Sequence, residues 1–163
     1  SDSRGLFERL FCSDSLGDCF DEFSVKHVNH SITHDVGSIR GMHYQLPPFA
    51  EKKILMCIRG AVWDVAVDMR PNSKTFLKYF ALELSKENCC GVVLPEGVAH
   101  GFQTLKPNSE LIYLHSNPYS HQHERIVNAL DTAINIAWPL TLGERSEKDT
   151  NAPFLPASRR DQR

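Results

Sequence analysis

The chain has 163 residues, the length of one domain at roughly 150 residues per domain, and can bury a core without disulfide or metal staples. Apolar residues make up 41% and charged residues 23%, and 20 Asp and Glu against 18 Lys and Arg leave a net charge of −2. That balance excludes a bulk electrostatic pull toward nucleic acid or an anionic membrane; the eight histidines raise the question of whether they are ligands, bases or surface.

The chain opens Ser1-Asp2-Ser3-Arg4-Gly5 with neither Met nor a signal-peptide pattern, so an N-terminal element is expected to be missing. Ser13 to Phe20 is the best helix candidate, with Ser13 and Asp14 as caps. The rest reads as short β segments divided by turn chemistry. Val25 to His30 is followed by the turn Asp35-Val36-Gly37, and Ile39 to Tyr44 is closed by Pro47-Pro48. Lys53 to Ile58, Arg59-Gly60 and Ala61 to Met69 together read as a hairpin. Thr75 to Leu84 follows the turn Arg70-Pro71-Asn72-Ser73, and Gly91 to Leu94 ends at Pro95-Glu96-Gly97. Val98 to Leu105 and Glu110 to Ser116 flank Lys106-Pro107-Asn108-Ser109. With about nine strands and no crossover helices, the class is all-β, a sandwich or jelly roll. The composition turns polar from about Gly143, and Ser158 to Arg163 reads as a loose tail.

Cys12, Cys19, Cys57, Cys89 and Cys90 are odd in number and include no C-x-x-C pair. A disulfide framework and a structural zinc are both disfavoured, and a reducing cytoplasm is expected. No apolar run reaches the length of a membrane span.

Several segments could carry chemistry. Arg40 and His43 sit in an apolar strand, on opposite faces if it is ideal and elsewhere if Gly41 marks a bulge. They are either a surface cation and a core imidazole, or site residues. Asp64 and Asp68 share a face with Val62 and Ala66, opposite an apolar face of Trp63, Val65 and Val67. Those carboxylates line a polar pocket if the face turns inward. His100 lies between Gly97 and Gly101, where backbone or ligand can approach closely. Tyr113 is a core residue or a proton donor. His121-Gln122-His123-Glu124 carries an H-x-H pair, but late in the chain and without the partners of a metal-binding cupin, so no metal is expected. Nucleophile-elbow and phosphate-loop motifs are missing.

The ordered set Arg40-Gly41-Met42-His43-Tyr44-Gln45, Lys53, Asp64 to Asp68, Pro95 to Phe102, Tyr113, Ile136-Ala137-Trp138-Pro139 and Ser146-Glu147-Lys148-Asp149 resembles the dTDP-4-dehydrorhamnose 3,5-epimerase family. The likeness runs from about Arg4 to Pro153. It implies a cupin-like jelly-roll barrel with short peripheral helices over residues 1–155, followed by a polar tail at 156–163. It further implies no metal or other cofactor, a nucleotide-diphosphate-sugar substrate, and a homodimer with exchanged N-terminal strands.

The resemblance also assigns roles. His43 is the base, oriented by Asp149. Tyr113 donates a proton from the opposite face, and Lys53 stabilises charge developing on the sugar oxygen. Arg4, Arg40, His100, Glu124 and Lys148 contact sugar or diphosphate, and Tyr119 lies at the base-binding end. His27 and Asn29 fall in the run that helps hold the nucleotide. The chemistry fits these types independently. A neutral imidazole polarised by a carboxylate suits proton abstraction near pH 7, a cation at a keto oxygen acts as charge forms, and inversion needs a donor on the other face.

The chain departs from the family in three places. The Q-D-N-H-S run reads His27-Val28-Asn29-His30-Ser31. Arg9 stands where a Glu is expected, although Glu8 is adjacent. The G-I-x-W segment reads Ile126-Val127-Asn128-Ala129. The proton chemistry is therefore expected to be kept, while nucleotide, sugar or regiochemistry differs from the thymidine-linked 4-keto-6-deoxyglucose standard. The alternatives are an epimerase acting at one carbon or on a CDP- or GDP-linked sugar, a sugar 3,4-ketoisomerase, and a non-catalytic sugar-binding cupin. No role beyond surface or packing is expected for His34, His115, His121 and His123.

Overall fold

Strand-forming segments punctuated by turns build two antiparallel sheets. The structure is a computed structural model that describes residues 2–16 and 23–156. Its strands are β1 (His27–Thr33), β2 (Ile39–Gln45), β3 (Lys53–Arg59), β4 (Ala61–Asp68), β5 (Tyr79–Ser85), β6 (Gly91–Leu94), β7 (Val98–Thr104), β8 (Ser109–His115) and β9 (Glu124–Ile126). One sheet has the order β1-β8-β3-β6 and the other β5-β4-β7-β2-β9. This is the expected all-β, cupin-like jelly roll. Among the described residues the helices are a 3-10 turn at Ser13–Ser15 and the short α1 (Glu147–Thr150).

Register decides what faces the interior, because residues paired across strands share a face. On the four-stranded sheet one inward row is His27, His115, Lys53 and Leu94, and the next is Asn29, Tyr113, Leu55 and Val92. On the five-stranded sheet His100 pairs with Ala66 and His43, and Phe102 with Asp64 and Arg40. The interior is therefore part apolar, from Val62, Leu84, Phe102, Leu111 and Leu55, and part polar. The opposite face of the five-stranded sheet is buried too. Ile39, Met42, Val65, Val67 and Ala99 pack there with Val127, Ala129, Ala133, Ile134 and Leu155 of the C-terminal segment. Burial on both faces explains why β4 and β7 carry so few exposed positions.

The structure corrects four readings. First, Lys53–Arg59 and Ala61–Asp68 do not form a hairpin, since β3 pairs with β6 and β8 while β4 pairs with β5 and β7. Gly60, at φ +72° and packed against Ser109, turns the chain from one sheet into the other. Second, pairing in the fifth strand starts at Tyr79 and not at Thr75. The Asp68 carboxylate takes hydrogen bonds from Arg70, Ser73 and Thr75, which wraps the preceding residues into a loop. Third, the Ser13 to Phe20 helix is one 3-10 turn without a side-chain cap at Cys12, and its later part lies outside the described residues, as does the tail from residue 157. Fourth, β9 is a strand the sequence pattern did not separate from its loop.

No helix among the described residues is long and apolar enough to cross a membrane.

Candidate active site

The two sheets diverge around a cavity of about 620 Å³. Its wall contains His43, Tyr113, Asp149, Lys53, Asn29, Arg40, His100, Tyr119 and Glu124, all predicted from sequence. Arg4, His27 and Lys148 are not part of that wall. Arg4 is exposed on the N-terminal arm and pairs with Asp2 at 2.6 Å. His27 stacks on His115, and Lys148 pairs with Glu124 at 2.6 Å.

A β-bulge builds the centre of the site. The β2–β7 register slips between Gly41 and His43, so Arg40 pairs with Phe102 and His43 with His100. Arg40 and His43 thus share the inner face, as the bulge alternative required, and Met42 is sent to the opposite core. Glycine is needed on both strands here. Gly41 sits at φ +111°, and a Cβ on it would lie 2.5 Å from the His100 carbonyl oxygen and 2.6 Å from the Gly101 Cα. A Cβ on Gly101 would meet the Arg40 carbonyl oxygen at 2.6 Å.

His43 Nε2 lies 2.6 Å from Asp149 Oδ1, and Asp149 Oδ2 accepts the Gly41 N–H at 3.2 Å. Asp149 is buried at the start of α1, where the Ser146 hydroxyl accepts its backbone N–H. Burial alone would raise the Asp149 carboxyl. The His43 hydrogen bond and charge, the Gly41 N–H and Ser146 outweigh it and hold the group below its ordinary value. An ionised Asp149 keeps a proton on His43 Nε2 and leaves Nδ1 as the basic atom. Tyr113 faces this pair from the other sheet, its hydroxyl 3.0 Å from Ser31 Oγ. Burial pushes its phenol up to about 12, and Asp64 adds to the rise, so it stays protonated near neutral pH.

His100 Nε2 lies 2.7 Å from Asp64 Oδ2 on the inner face. Of the two carboxylates expected to share that face, Asp64 serves His100 and Asp68 clamps the turn after β4. At the mouth Glu124 takes hydrogen bonds from Tyr119 at 2.8 Å and Lys148 at 2.6 Å. The Arg40 guanidinium donates to Thr33 Oγ1 and the Ile32 carbonyl, which holds it as a fixed cation.

Sequence reasoning missed Ser31, Glu51, His115 and Arg145, which all line the cavity. His115 is no surface residue: it is buried, with Nδ1 2.8 Å from Glu51 Oε2. Ser31 could have been found by its two-residue step from Asn29 on one strand face. His27, Glu51 and His115 bring metal-ligating atoms within 4.8 Å of one another. Glu51 already accepts from Lys53 at 3.0 Å, so a cation would have to displace that ammonium.

The profile of the family described as dTDP-4-dehydrorhamnose 3,5-epimerase matches residues 1–157. The chain is 41% identical over 155 residues to the dTDP-4-dehydrorhamnose 3,5-epimerase of Sinorhizobium fredii, covering 94% of this chain and 80% of that protein. It is 36% identical over 162 residues to the dTDP-4-dehydro-6-deoxyglucose 3-epimerase of Streptomyces bikiniensis, covering 98% and 82%. Among solved structures, the dTDP-4-dehydrorhamnose 3,5-epimerase of Bacillus anthracis with TDP and pyrophosphate bound superposes with a TM-score of 0.90 at 35% identity, covering 95% of this chain and 89% of that one. Matching profile, near full-length relatives and a shared fold agree: the chain belongs to the dTDP-4-dehydrorhamnose 3,5-epimerase family of isomerases.

Proposed function

We propose that the chain inverts C3, C5 or both of a dTDP-linked 4-keto-6-deoxyhexose by proton abstraction and reprotonation through an enolate. The observation that carries this reading is an Asp149-oriented His43 facing a protonated Tyr113 across one cavity, with Lys53 in its wall. A hydrogen α to the C4 ketone leaves as a proton to His43 Nδ1, and its bonding pair moves into the ring to form the enolate. The Lys53 ammonium stabilises the oxygen only as it gains charge. The enolate then takes the Tyr113 hydroxyl proton on its other face, which inverts the centre and leaves a phenolate and a His43 imidazolium; solvent reprotonates the phenolate and takes the abstracted proton from His43. Both α carbons are acidified by one ketone, so one pair serves both when the ring shifts. Arg40 and Arg145 supply fixed positive charge for the diphosphate, and His100, Asn29, Tyr119 and Glu124 complete the contacts.

The exposed arm carrying Arg4 supports a homodimer in which that arm reaches the partner's cavity. The resemblance to a 3-epimerase at 36% identity supports inversion at C3 alone as a second reading. Incubation with dTDP-4-keto-6-deoxyglucose in D2O tests both: deuterium enters C3 and C5 for a double epimerase and C3 alone for a single one. A His43→Ala variant that exchanged at the wild-type rate would remove the base assignment, and a wild-type protein that exchanged at neither carbon would remove the reading itself.

A further inference from the structure

Three imidazole–carboxylate pairs stand around the cavity: His43–Asp149, His100–Asp64 and His115–Glu51. The third is not used by the chemistry above, and no sequence motif pointed to it. Glu51 bridges two groups, with Oε1 3.0 Å from Lys53 Nζ and Oε2 2.8 Å from His115 Nδ1. All three side chains are close to nine-tenths buried or more. His115 is itself held: His27 stacks on it at 4.2 Å with rings 15° apart, and its Nε2 lies 3.4 Å from Asn29 Nδ2.

An ammonium has three N–H donors. One of Lys53 goes to Glu51 and a second lies 3.5 Å from the His43 backbone oxygen. The third is left for the cavity that Lys53 lines. Two fixed acceptors thus determine where the third proton points. Glu51 can serve as such an acceptor only if its own carboxylate is fixed, and the His115 Nδ1–H fixes it. Burial pushes the Glu51 carboxyl up, but the hydrogen bonds and charges of His115 and Lys53 outweigh this and keep it ionised.

We propose that Glu51 and His115 are positioning residues, a relay His115–Glu51–Lys53 that aims one Lys53 N–H at the oxygen on which the enolate charge develops. This rests on the role given to Lys53 above. It accounts for an acid beside the one cation the chemistry needs. The negative charge offsets part of the Lys53 field, and what is gained is direction, which counts most in the transition state where hydrogen bonds to the forming oxyanion shorten.

The test is steady-state deuterium exchange with Glu51→Gln, His115→Leu, His115→Asn and Lys53→Met, each checked for wild-type thermal unfolding. Loss of an orienting partner typically costs roughly tenfold to a hundredfold, and Glu51→Gln should lower kcat by that amount with KM changed far less. His115→Leu should show the same split. His115→Asn keeps a neutral donor where Nδ1 was and should recover most of the rate lost in His115→Leu, which a merely structural role would not produce. Glu51→Gln placed in Lys53→Met should cost nothing further, because the relay acts only through Lys53. An unchanged or raised kcat in Glu51→Gln beside a strongly impaired Lys53→Met overturns the relay and leaves the epimerase reading standing. Full activity in Lys53→Met overturns the role of Lys53 itself, and the relay with it.

Discussion

Replacing Asp149 by Asn removes one charge from the centre of the site while keeping the side chain's size. Asp149 makes two bonds toward β2, from Oδ1 to His43 Nε2 at 2.6 Å and from Oδ2 to the Gly41 N–H at 3.2 Å. An amide can satisfy only one of them. If its oxygen stays on His43, its NH2 faces the Gly41 N–H, donor against donor. If it flips, its N–H meets His43 Nε2, the proton moves to Nδ1, and the basic atom turns away from the cavity. Either way the base is lost or misplaced. General-base catalysis contributes about 10²- to 10⁴-fold, or about 2.7–5.4 kcal/mol of barrier at 1.36 kcal/mol per decade. Asp149→Asn should lose rate within that range. The unfolding free energy should fall by at most about 1–2 kcal/mol, the worth of the one buried hydrogen bond that the unflipped amide leaves unsatisfied. NMR-detected deuterium incorporation at C3 and C5, with thermal unfolding alongside, measures both. Exchange within about threefold of wild type, under about 0.7 kcal/mol, would refute the assignment of Asp149 as the group that orients the base.

Tyr113→Phe should leave His43-dependent exchange in place but abolish inversion at one or both carbons, seen as deuterated substrate without epimer. Because burial holds the phenol at about 12, the Tyr113 phenolate absorbance should not appear as pH passes the ordinary phenol value of 10.0, as the difference between wild-type and Tyr113→Phe ultraviolet titrations will show. Gly41→Ala forces a Cβ to 2.5 Å from the His100 carbonyl oxygen at φ +111°; it should cost about 2–4 kcal/mol and reduce exchange by displacing His43, both read from denaturant unfolding and kinetics. Asp68→Ala removes the acceptor for Arg70, Ser73 and Thr75 and should cost about 2–4 kcal/mol. Burial pushes the Asp68 carboxyl up, but those bonds outweigh it and hold the group well below 3.8. Its contribution is therefore present above that value and fades as pH falls toward the lower folded pKa, so the stability difference from Asp68→Ala should shrink in acid unfolding curves.

Strand positions were legible because apolar alternation and turn residues mark them locally. Gly91–Leu94 matches its reading and β2, β3, β4, β7 and β8 lie within a residue or so of theirs. Pairing was not legible in the same way. Arg59-Gly60 reads as a hairpin turn because two apolar runs flank it, yet the same residues also fit a corner between sheets. What decides is that β3 finds β8 and β6 while β4 finds β7 and β5, partners distant in sequence whose claims no local pattern displays. The Thr75 to Leu84 run failed for a related reason. Its first residues are as strand-like as the rest, but the Thr75 hydroxyl, with that of Ser73 just before the run, is claimed by a carboxylate on β4.

The site divides along the same line. Arg40 and His43 stood out because a cation and a base in an apolar, glycine-containing strand are costly unless something uses them; Tyr113 read as core or donor, and Lys53 and Asp149 were assigned only through the family resemblance. Glu51 and His115 gave no such signal. Glu51 follows the Pro47-Pro48 turn beside two lysines, where an acid looks solvated. His115 ends a run of alternating character, and only the β1–β8–β3 register puts it in the inward row with Lys53. A net charge of −2 conceals this arrangement, since each cation near the chemistry is matched or directed by a neighbour. Lys53 is bonded to Glu51 and Lys148 to Glu124, while Arg40 is held by neutral oxygens. Binding a diphosphate and then stabilising an enolate a few bonds away calls for two kinds of positive charge. One must be exposed to full negative charge from the outset, and the other must respond only to charge that forms in the reaction. In the proposed reaction, pairing Lys53 with a fixed acid and leaving Arg40 among neutral acceptors is what separates those tasks within a single cavity.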